Sequence, residues 1–510
     1  MAAQRVAIIG AGASGLCALK CCLDEGLEPT CFERSGDIGG LWRFQEQPEE
    51  GRASIYRSVI INTSKEMMCF SDFPIPDDFP NYMHHSKIME YFRMYARRFD
   101  LLRHVRFGTS VCRVSKSPDF ATTGRWEVVT ESEGKQQSDV FDAVLVCTGH
   151  HTDAHLPLHA FPGLESFEGW YLHSRDYKSP RAFTGKQVVV VGTGNSGIDI
   201  AVELSHTAKQ VFLSTKRGAW VMHRVAEGGY PFDFSYLSRF IQIIRSLLPL
   251  SVSNFVLERK LNARFDHSLY GLQPQHRQHA TINDDLPNRI ISGRVRVKPN
   301  IQEFTETSAI FEDGTREDID AVVFATGYSF SFPFLEECVK VVENQAPLYK
   351  FMFPVDLEKP TLAFIGFIQP LGAIMPISEL QCRWATHIFK GKYVASRRHT
   401  IQVDYIPYMD ELACQLGVKP NLPLLFLTDP PLALEVLLGP CTPYQYRLRG
   451  PGAWRGARAA ILTQRQRVLQ PLCGAAGRMG PRSSSVPHLL KVCFSIGLIT
   501  ATLVYVLLSS

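Results

Sequence analysis

Two stretches of the chain show the same order of apolar and polar positions. In "RVAIIGAGASGLCALKCCLDEGLEPTCFERS", from Arg5, an unbroken apolar run meets a cluster of glycines, continues at helical spacing and ends in a second short apolar run before Glu33. A β-branched run apolar at every position predicts a strand buried on both faces, which is the habit of parallel sheets. In "GKQVVVVGTGNSGIDIAVELSHTAKQVFLSTKRG", from Gly185, the order of strand, glycines, helix and strand repeats. Two further runs, "FDAVLVCTGHH" and "IDAVVFATGYSF", carry an apolar strand into Thr148-Gly149 and Thr326-Gly327. The expected class is α/β, with two Rossmann-like dinucleotide-binding domains.

The glycines assign chemistry to both repeats. In the first, Gly10-Ala11-Gly12-Ala13-Ser14-Gly15 permits the tight turn at Gly10, the approach of a pyrophosphate at Gly12 and close helix-to-strand packing at Gly15. Glu33 lies 23 residues beyond Gly10, where an acid accepts hydrogen bonds from a ribose. In the second, Gly192-x-Gly194-Asn195-Ser196-Gly197-Ile198-Asp199 opens a helix whose N-terminus suits a pyrophosphate, but the position matching Glu33 is Thr215, followed by Lys216 and Arg217. A hydroxyl and two cations suit a 2′-phosphate, so the second cofactor is expected to be NADPH; the alternative is a solvated basic turn. Two such sites in one chain point to an electron-transfer flavoprotein, with FAD at the first. The expected organisation is an FAD-binding domain in two parts, 1–154 and 328–440, interrupted by an NADPH-binding domain over 155–327 that carries a candidate membrane-facing insertion at 235–280.

The end of the chain changes the picture. Residues 441–491 form a basic segment, and the seventeen uncharged residues from Val492 to Leu508 would span roughly 26 Å as a helix. Cations lie before this run and only Ser509 and Ser510 after it, so it is expected to be a tail anchor with the body on the cytosolic face; the alternative is a buried C-terminal helix. The stretch Phe240 to Leu261 is apolar with a few cations and is interrupted by Pro249, which suits lying in a membrane interface or packing on the NADPH domain. A net charge of +4 over 510 residues, without basic runs interleaved with aromatics, excludes a nucleic-acid partner. Thirteen scattered cysteines indicate reduced thiols.

Between the glycine turns, "FEGWYLHSRDYKSP" places Phe167, Gly169, His173, Tyr177 and Lys178 at the spacing of the identifying sequence of the flavin-containing monooxygenases, which the chain resembles over nearly its whole length. "FATGYSF" at Phe324 to Phe330 matches a second motif of that family. The resemblance implies a class B flavoprotein of the endoplasmic reticulum membrane. Its FAD is reduced by NADPH and meets molecular oxygen to form a C4a-(hydro)peroxyflavin, which transfers one oxygen atom to a small lipophilic substrate. It also implies that Asn62 in "SVIINTSKEM" is the active-site amide, flanked at the cofactors by Ile61 and Thr63, and that Leu41 and Trp42 in "DIGGLWRF" touch the flavin. His173 and Tyr177 are expected to hold domains together. Segments such as "STKRGAW" and "FTETSAIFEDG" look most like the fifth mammalian isoform of that family, a lineage associated with Baeyer-Villiger oxidation of ketones more than with N- or S-oxygenation. A membrane-associated homodimer is a further expectation.

Other readings compete. Cys17 and Cys22 have the sequence spacing of a disulfide reductase's pair, but five residues at about 100° each place them roughly 140° apart on one helix, so core packing is favoured. His151 and His155 sit four apart, yet Leu156-Pro157 breaks any helix there, and no metal site is expected. Relative to the family the chain lacks a polar segment near Lys392 and has a shortened loop at 275–280. An uncoupled NADPH oxidase releasing hydrogen peroxide, a flavin disulfide reductase and a nonenzymatic cofactor-binding membrane protein are therefore the alternatives to a monooxygenase.

Overall fold

The computed structural model describes residues 3–274, 280–335, 339, 341, 344–370, 372–391 and 402–472. Two five-stranded sheets, parallel throughout, dominate these residues. The first runs in the order Leu362–Phe364, Ala143–Val146, Arg5–Ile9, Glu28–Phe32, Val105–Arg106. The second runs Val295–Lys298, Gln210–Ser214, Gln187–Val191, Ala321–Phe324, Trp170–His173. In both, the strand entering the glycine turn is central. It pairs on one side with the strand after the helix and on the other with the strand entering Thr-Gly.

The local sequence explains this arrangement. Val6, Ala7 and Ile8, like Val188, Val189 and Val190, are fully buried, as strands covered on both faces must be. Gly10 and Gly192 adopt φ of 99° and 109°, in the region that favours glycine, and end each strand in a sharp turn. A Cβ on Gly15 would stand 1.8 Å from the Gly10 carbonyl oxygen, and one on Gly197 2.1 Å from that of Gly192. Each helix therefore packs on its own turn only because that residue has no side chain.

Chain order shows how the sheets are nested. The strand Leu362–Phe364 joins the first sheet only after the chain has built the second, so the first is assembled from both ends of the sequence. The outgoing and returning connections pair with each other: Asp153–Ala154 runs antiparallel to Tyr328–Ser329. The long buried helix Ile374–Phe389 then packs against Ala13–Asp24, closing the first region over its glycine turn. A small antiparallel sheet of Ser110–Lys116, Trp126–Ser132 and Lys135–Phe141 flanks it.

The second region makes an excursion after its Gln210–Ser214 strand. It includes the short helix Phe232–Tyr236 and two helices, Arg239–Leu247 and Leu250–Asn262, broken at Leu248-Pro249. Leu247 is 75% and Phe255 62% exposed, with Leu250 and Val256 also standing in solvent, so this face carries unburied apolar area. Among the described residues no helix is long and apolar enough to cross a membrane. The expected anchor at 492–508 lies outside the described residues, as do Lys392 with the stretch after it and most of the shortened loop.

Candidate cofactor and active site

The helix Ala13–Asp24 starts at Gly12 and the helix Asn195–Leu204 at Gly194; neither has a side-chain cap or an acid in its first turn. An uncapped N-terminus leaves backbone N–H groups without acceptors and a positive end of the helix dipole, which fits a pyrophosphate. Both cradles therefore suit dinucleotides on their own geometry.

Their surroundings differ. Gly12 is roofed by Gly40, whose Cα lies 3.6 Å from the place of a Gly12 Cβ, and Gly39 N donates to Ala11 O at 3.0 Å. Leu41 and Trp42 follow in a short turn of helix, with Trp42 packed on the core. Glu33 is buried and already engaged: Oε2 accepts from Ala11 N at 2.8 Å, and Oε1 from Ser35 N at 3.0 Å and Ser35 Oγ at 2.7 Å. A carboxylate has capacity for further donors, so this locks Glu33 beside the turn without closing it to a ribose. Ser14 Oγ donates to Ser378 Oγ at 3.2 Å, tying the first turn to the long helix.

At the second turn nothing lies within 4 Å of a Cβ built on Gly194. Thr215 is buried, its Oγ1 accepting from Gly218 N at 3.0 Å and lying 3.2 Å from Thr193 Oγ1. It forms the floor of a tight corner from which Lys216 and Arg217 stand exposed, and neither makes an ion pair with a described residue. Asn195 Oδ1 accepts from Ile282 N at 3.0 Å. The Asp199 carboxylate is held by Tyr56 Oη at 2.8 Å and by Asn283 Nδ2 at 2.8 Å. What the start of this helix offers a phosphate is therefore backbone, not the Asp199 side chain. Burial raises the Asp199 carboxyl above its ordinary range, and burial beside that carboxylate raises Tyr56 in turn.

Tyr56 belongs to a segment that links the two regions. Ser58 Oγ donates to Glu203 Oε2 at 2.9 Å, and Tyr177 Oη reaches the same oxygen at 3.0 Å. From the same motif Lys178 Nζ donates to Ser54 Oγ and, at 3.1 Å, to Ile55 O, while Arg175 Nε donates to Arg52 O at 3.2 Å. His173 is buried with Nδ1 accepting from Arg175 N at 3.2 Å, its ring edge-on to Tyr328, and burial lowers its pKa. These motif residues hold the segment from Arg52 to Ser58 against the second region.

That segment leads into Ile61-Asn62-Thr63. Ile61 is buried and its N–H donates to Met83 O at 2.9 Å, while Asn62 and Thr63 are partly exposed. Arg224 Nη2 donates to Asn62 Oδ1 at 2.7 Å, and Arg224 Nη1 to Asp284 Oδ2 at 3.1 Å. With its oxygen taken, the Asn62 amide presents Nδ2 as a donor. Sequence reasoning missed Arg224, Asp284, Tyr56 and Asn283; only Tyr56, six residues before Asn62, carried a signal by position. Cys17 and Cys22 are free thiols buried in the core.

Residues 3–508 match the family described as "Flavin-binding monooxygenase-like". The chain is 62% identical to flavin-containing monooxygenase 5 of Oryctolagus cuniculus, over 99% of this chain and all of the relative. That alignment runs over 532 positions against the 510 residues here, so the relative carries residues this chain lacks. The Homo sapiens flavin-containing monooxygenase 5 is also 62% identical, over 96% of this chain and 97% of its own length. Among solved structures, the S-allyl-L-cysteine S-oxygenase of Allium sativum superposes with a TM-score of 0.61 at 24% identity, covering 82% of this chain and 89% of that one. Cyclohexanone monooxygenase from Rhodococcus gives 0.54 at 18% identity, covering 76% and 85%.

Proposed function

Because the chain belongs to the flavin-binding monooxygenase-like family, we propose that it binds FAD at the Gly10 turn and NADPH at the Gly192 turn and inserts one atom of oxygen into small lipophilic molecules, ketones before amines and sulfides. The observation that carries this reading is the pairing, in one chain, of two uncapped glycine-turn helices, one beside a buried acid and one beside two exposed cations. When bound, the flavin accepts hydride from the nicotinamide and activates oxygen; the protein supplies position, dryness and hydrogen bonds.

The residues divide that work. Gly10 to Gly15 and Glu33 take the flavin's pyrophosphate and ribose, with Leu41, Trp42, Ile61 and Thr63 along its length. Gly194, Asn195, Ser196 and Gly197 take the second pyrophosphate through the N–H groups of the helix's first turn, with Gly192, Ile198 and Asp199 shaping the turn around it, and Thr215, Lys216 and Arg217 take the 2′-phosphate. Asn62 donates Nδ2 toward the reacting end of the cofactors, its oxygen held by Arg224. The preference for ketones rests on the resemblance of segments such as "STKRGAW" and "FTETSAIFEDG" to a lineage associated with ketone oxidation.

We place the body on the cytosolic face of the endoplasmic reticulum, anchored by 492–508, with the exposed apolar faces of Arg239–Leu247 and Leu250–Asn262 resting in the interface.

The deciding experiment supplies the full-length holoenzyme with NADPH, oxygen and either a cyclic ketone or a thioether, and measures NADPH consumed, product formed and hydrogen peroxide released. One product per NADPH with the ketone supports the reading. Coupling with the thioether alone replaces the substrate class, and peroxide equal to NADPH with both leaves an oxidase.

A further inference from the structure

The turn carrying Asn62 has no regular structure of its own between the Ile61 N–H, bonded to Met83, and the short helix Lys65–Met68. Ser64 is the N-cap of that helix but makes no side-chain cap bond; its hydroxyl is buried beside the Asp233 carboxyl without a well-formed hydrogen bond. The turn is instead held from a distance. Ser64 N donates to Asp233 Oδ2 at 2.7 Å, and Asp233 Oδ1 accepts from Phe234 N at 2.8 Å. Asp233 is buried on the Phe232–Tyr236 helix, in the same excursion that provides Arg224. The two are tied together: Phe232 N donates to Arg224 O at 2.8 Å, and Tyr82 Oη donates to the same oxygen at 2.7 Å. The excursion therefore grips the turn at both ends, at the Asn62 amide oxygen and at the main chain two residues later.

We propose that Asp233 is a positioning residue for Asn62, fixing through the Ser64 N–H the turn that presents the Asn62 amide. This rests on the reading of Asn62 given above. Among the described residues Asp233 forms no ion pair with a cation. Arg224 pairs with Asp284 at 3.1 Å, and Lys65 Nζ donates to the carbonyls of Pro76, Asp77 and Phe79. Glu66 pairs with Arg467 at 2.6 Å, and Tyr82 and Tyr405 face Asp233 as neutral phenols raised by burial. Burial consequently pushes the Asp233 carboxyl up to about 6, against the lowering effect of the Ser64 and Phe234 N–H groups.

The sign of that shift separates positioning from mere support. A raised carboxyl takes up its proton more readily folded than unfolded, so its stabilising contribution is complete below the ordinary carboxyl range and is lost as pH rises through about 6. Acid thus favours the fold at this residue. It also replaces a charge-assisted N–H to carboxylate bond by a neutral one, roughly half as strong, and loosens the turn. Coupling should therefore fall toward acid while the contribution of Asp233 to stability rises.

The test measures the share of NADPH electrons lost as hydrogen peroxide, with the coupled substrate, from pH 5 to 8.5, on the full-length flavin-loaded protein. Wild type is expected to leak several-fold more below about pH 6. Asp233→Asn should leak several-fold more at every pH without that inflection, its KM for NADPH within about twofold of wild type and its thermal midpoint at pH 7 unchanged or raised. If Asp233→Asn fails to retain flavin, Ser64→Pro removes the donor instead, at a φ of −65° that proline adopts, and should give the same flat, raised leak. A variant that keeps the wild-type profile, or leaks only in proportion to lost flavin, overturns the proposal. Asn62→Ala distinguishes the premises. If it couples like wild type, the reading of Asn62 falls and this one with it; if it leaks while Asp233→Asn does not, only Asp233 is wrong.

Discussion

The two glycine turns share a backbone and differ in what surrounds it. At the first, Gly40 closes over Gly12, and Glu33 is bound to Ala11 and Ser35. At the second, Gly194 faces open space, and Lys216 and Arg217 stand in solvent above a threonine floor. A roofed, prebonded cradle suits a cofactor that remains; an open one rimmed by exposed cations suits a cofactor that arrives and leaves with each turnover. On the proposed assignment the same supersecondary unit would serve retention and exchange, the difference lying in residues outside the motif.

The sharpest way to break this comparison is to block each turn in the same manner. Gly15→Val and Gly197→Val each drive a side chain into a carbonyl about 2 Å away, a clash that no rotamer relieves. The first should yield protein without flavin, or none that is soluble, since its helix also packs on the buried Ile374–Phe389 helix. The second should keep its yellow flavin and lose NADPH-driven reduction by at least 100-fold. Absorbance of the purified proteins and anaerobic reduction kinetics distinguish them; loss of flavin from both would mean that the turns do not act separately.

A smaller effect sharpens the contrast at the exposed rim. Arg217→Glu should raise the KM for NADPH by about 10- to 100-fold, the worth of roughly 1–3 kcal/mol for a charge-assisted bond, while leaving NADH nearly unaffected. Steady-state kinetics with both nucleotides check this, and an unchanged KM for NADPH would return Lys216 and Arg217 to the status of a solvated basic turn.

How much of this was legible in the sequence follows from distance along the chain. Gly10, Gly12, Gly15 and Glu33 lie in one strand-helix-strand unit, where spacing encodes geometry directly, and the central strand of each parallel sheet is an unbroken apolar run, Val6 to Ile9 and Val188 to Val191. The setting of Asn62 was not legible. Arg224 comes from 162 residues away and Asp233 reaches Ser64 across 169, so no local pattern joins them. Asp199 is the instructive middle case. Its place at the start of the second helix marked it for the cofactor, yet its side chain turns to Tyr56, because burial there requires a carboxylate to find donors.

A further substitution, with no expected effect on cofactor affinity, tests that link between the regions. Tyr56→Phe removes one of the two donors to the partly buried Asp199 carboxylate and leaves Asn283 as the other. Loss of a partly buried hydrogen bond to a charged group should lower stability at pH 7 to 8 by about 1–3 kcal/mol. The Asp199 carboxyl is already raised by burial, and without the phenol it rises further. A raised carboxyl takes up a proton in the fold at pH values where the unfolded chain is still ionised, so the cost of holding its charge disappears as pH falls through the folded value. The deficit of Tyr56→Phe should therefore be largest at neutral and alkaline pH and shrink in acid. Thermal unfolding of wild type and variant across pH 5 to 8.5 reads this directly. A deficit that does not vary with pH would mean that Tyr56 stabilises by packing against Tyr177, at 5.9 Å between ring centres, and that the carboxylate takes no part.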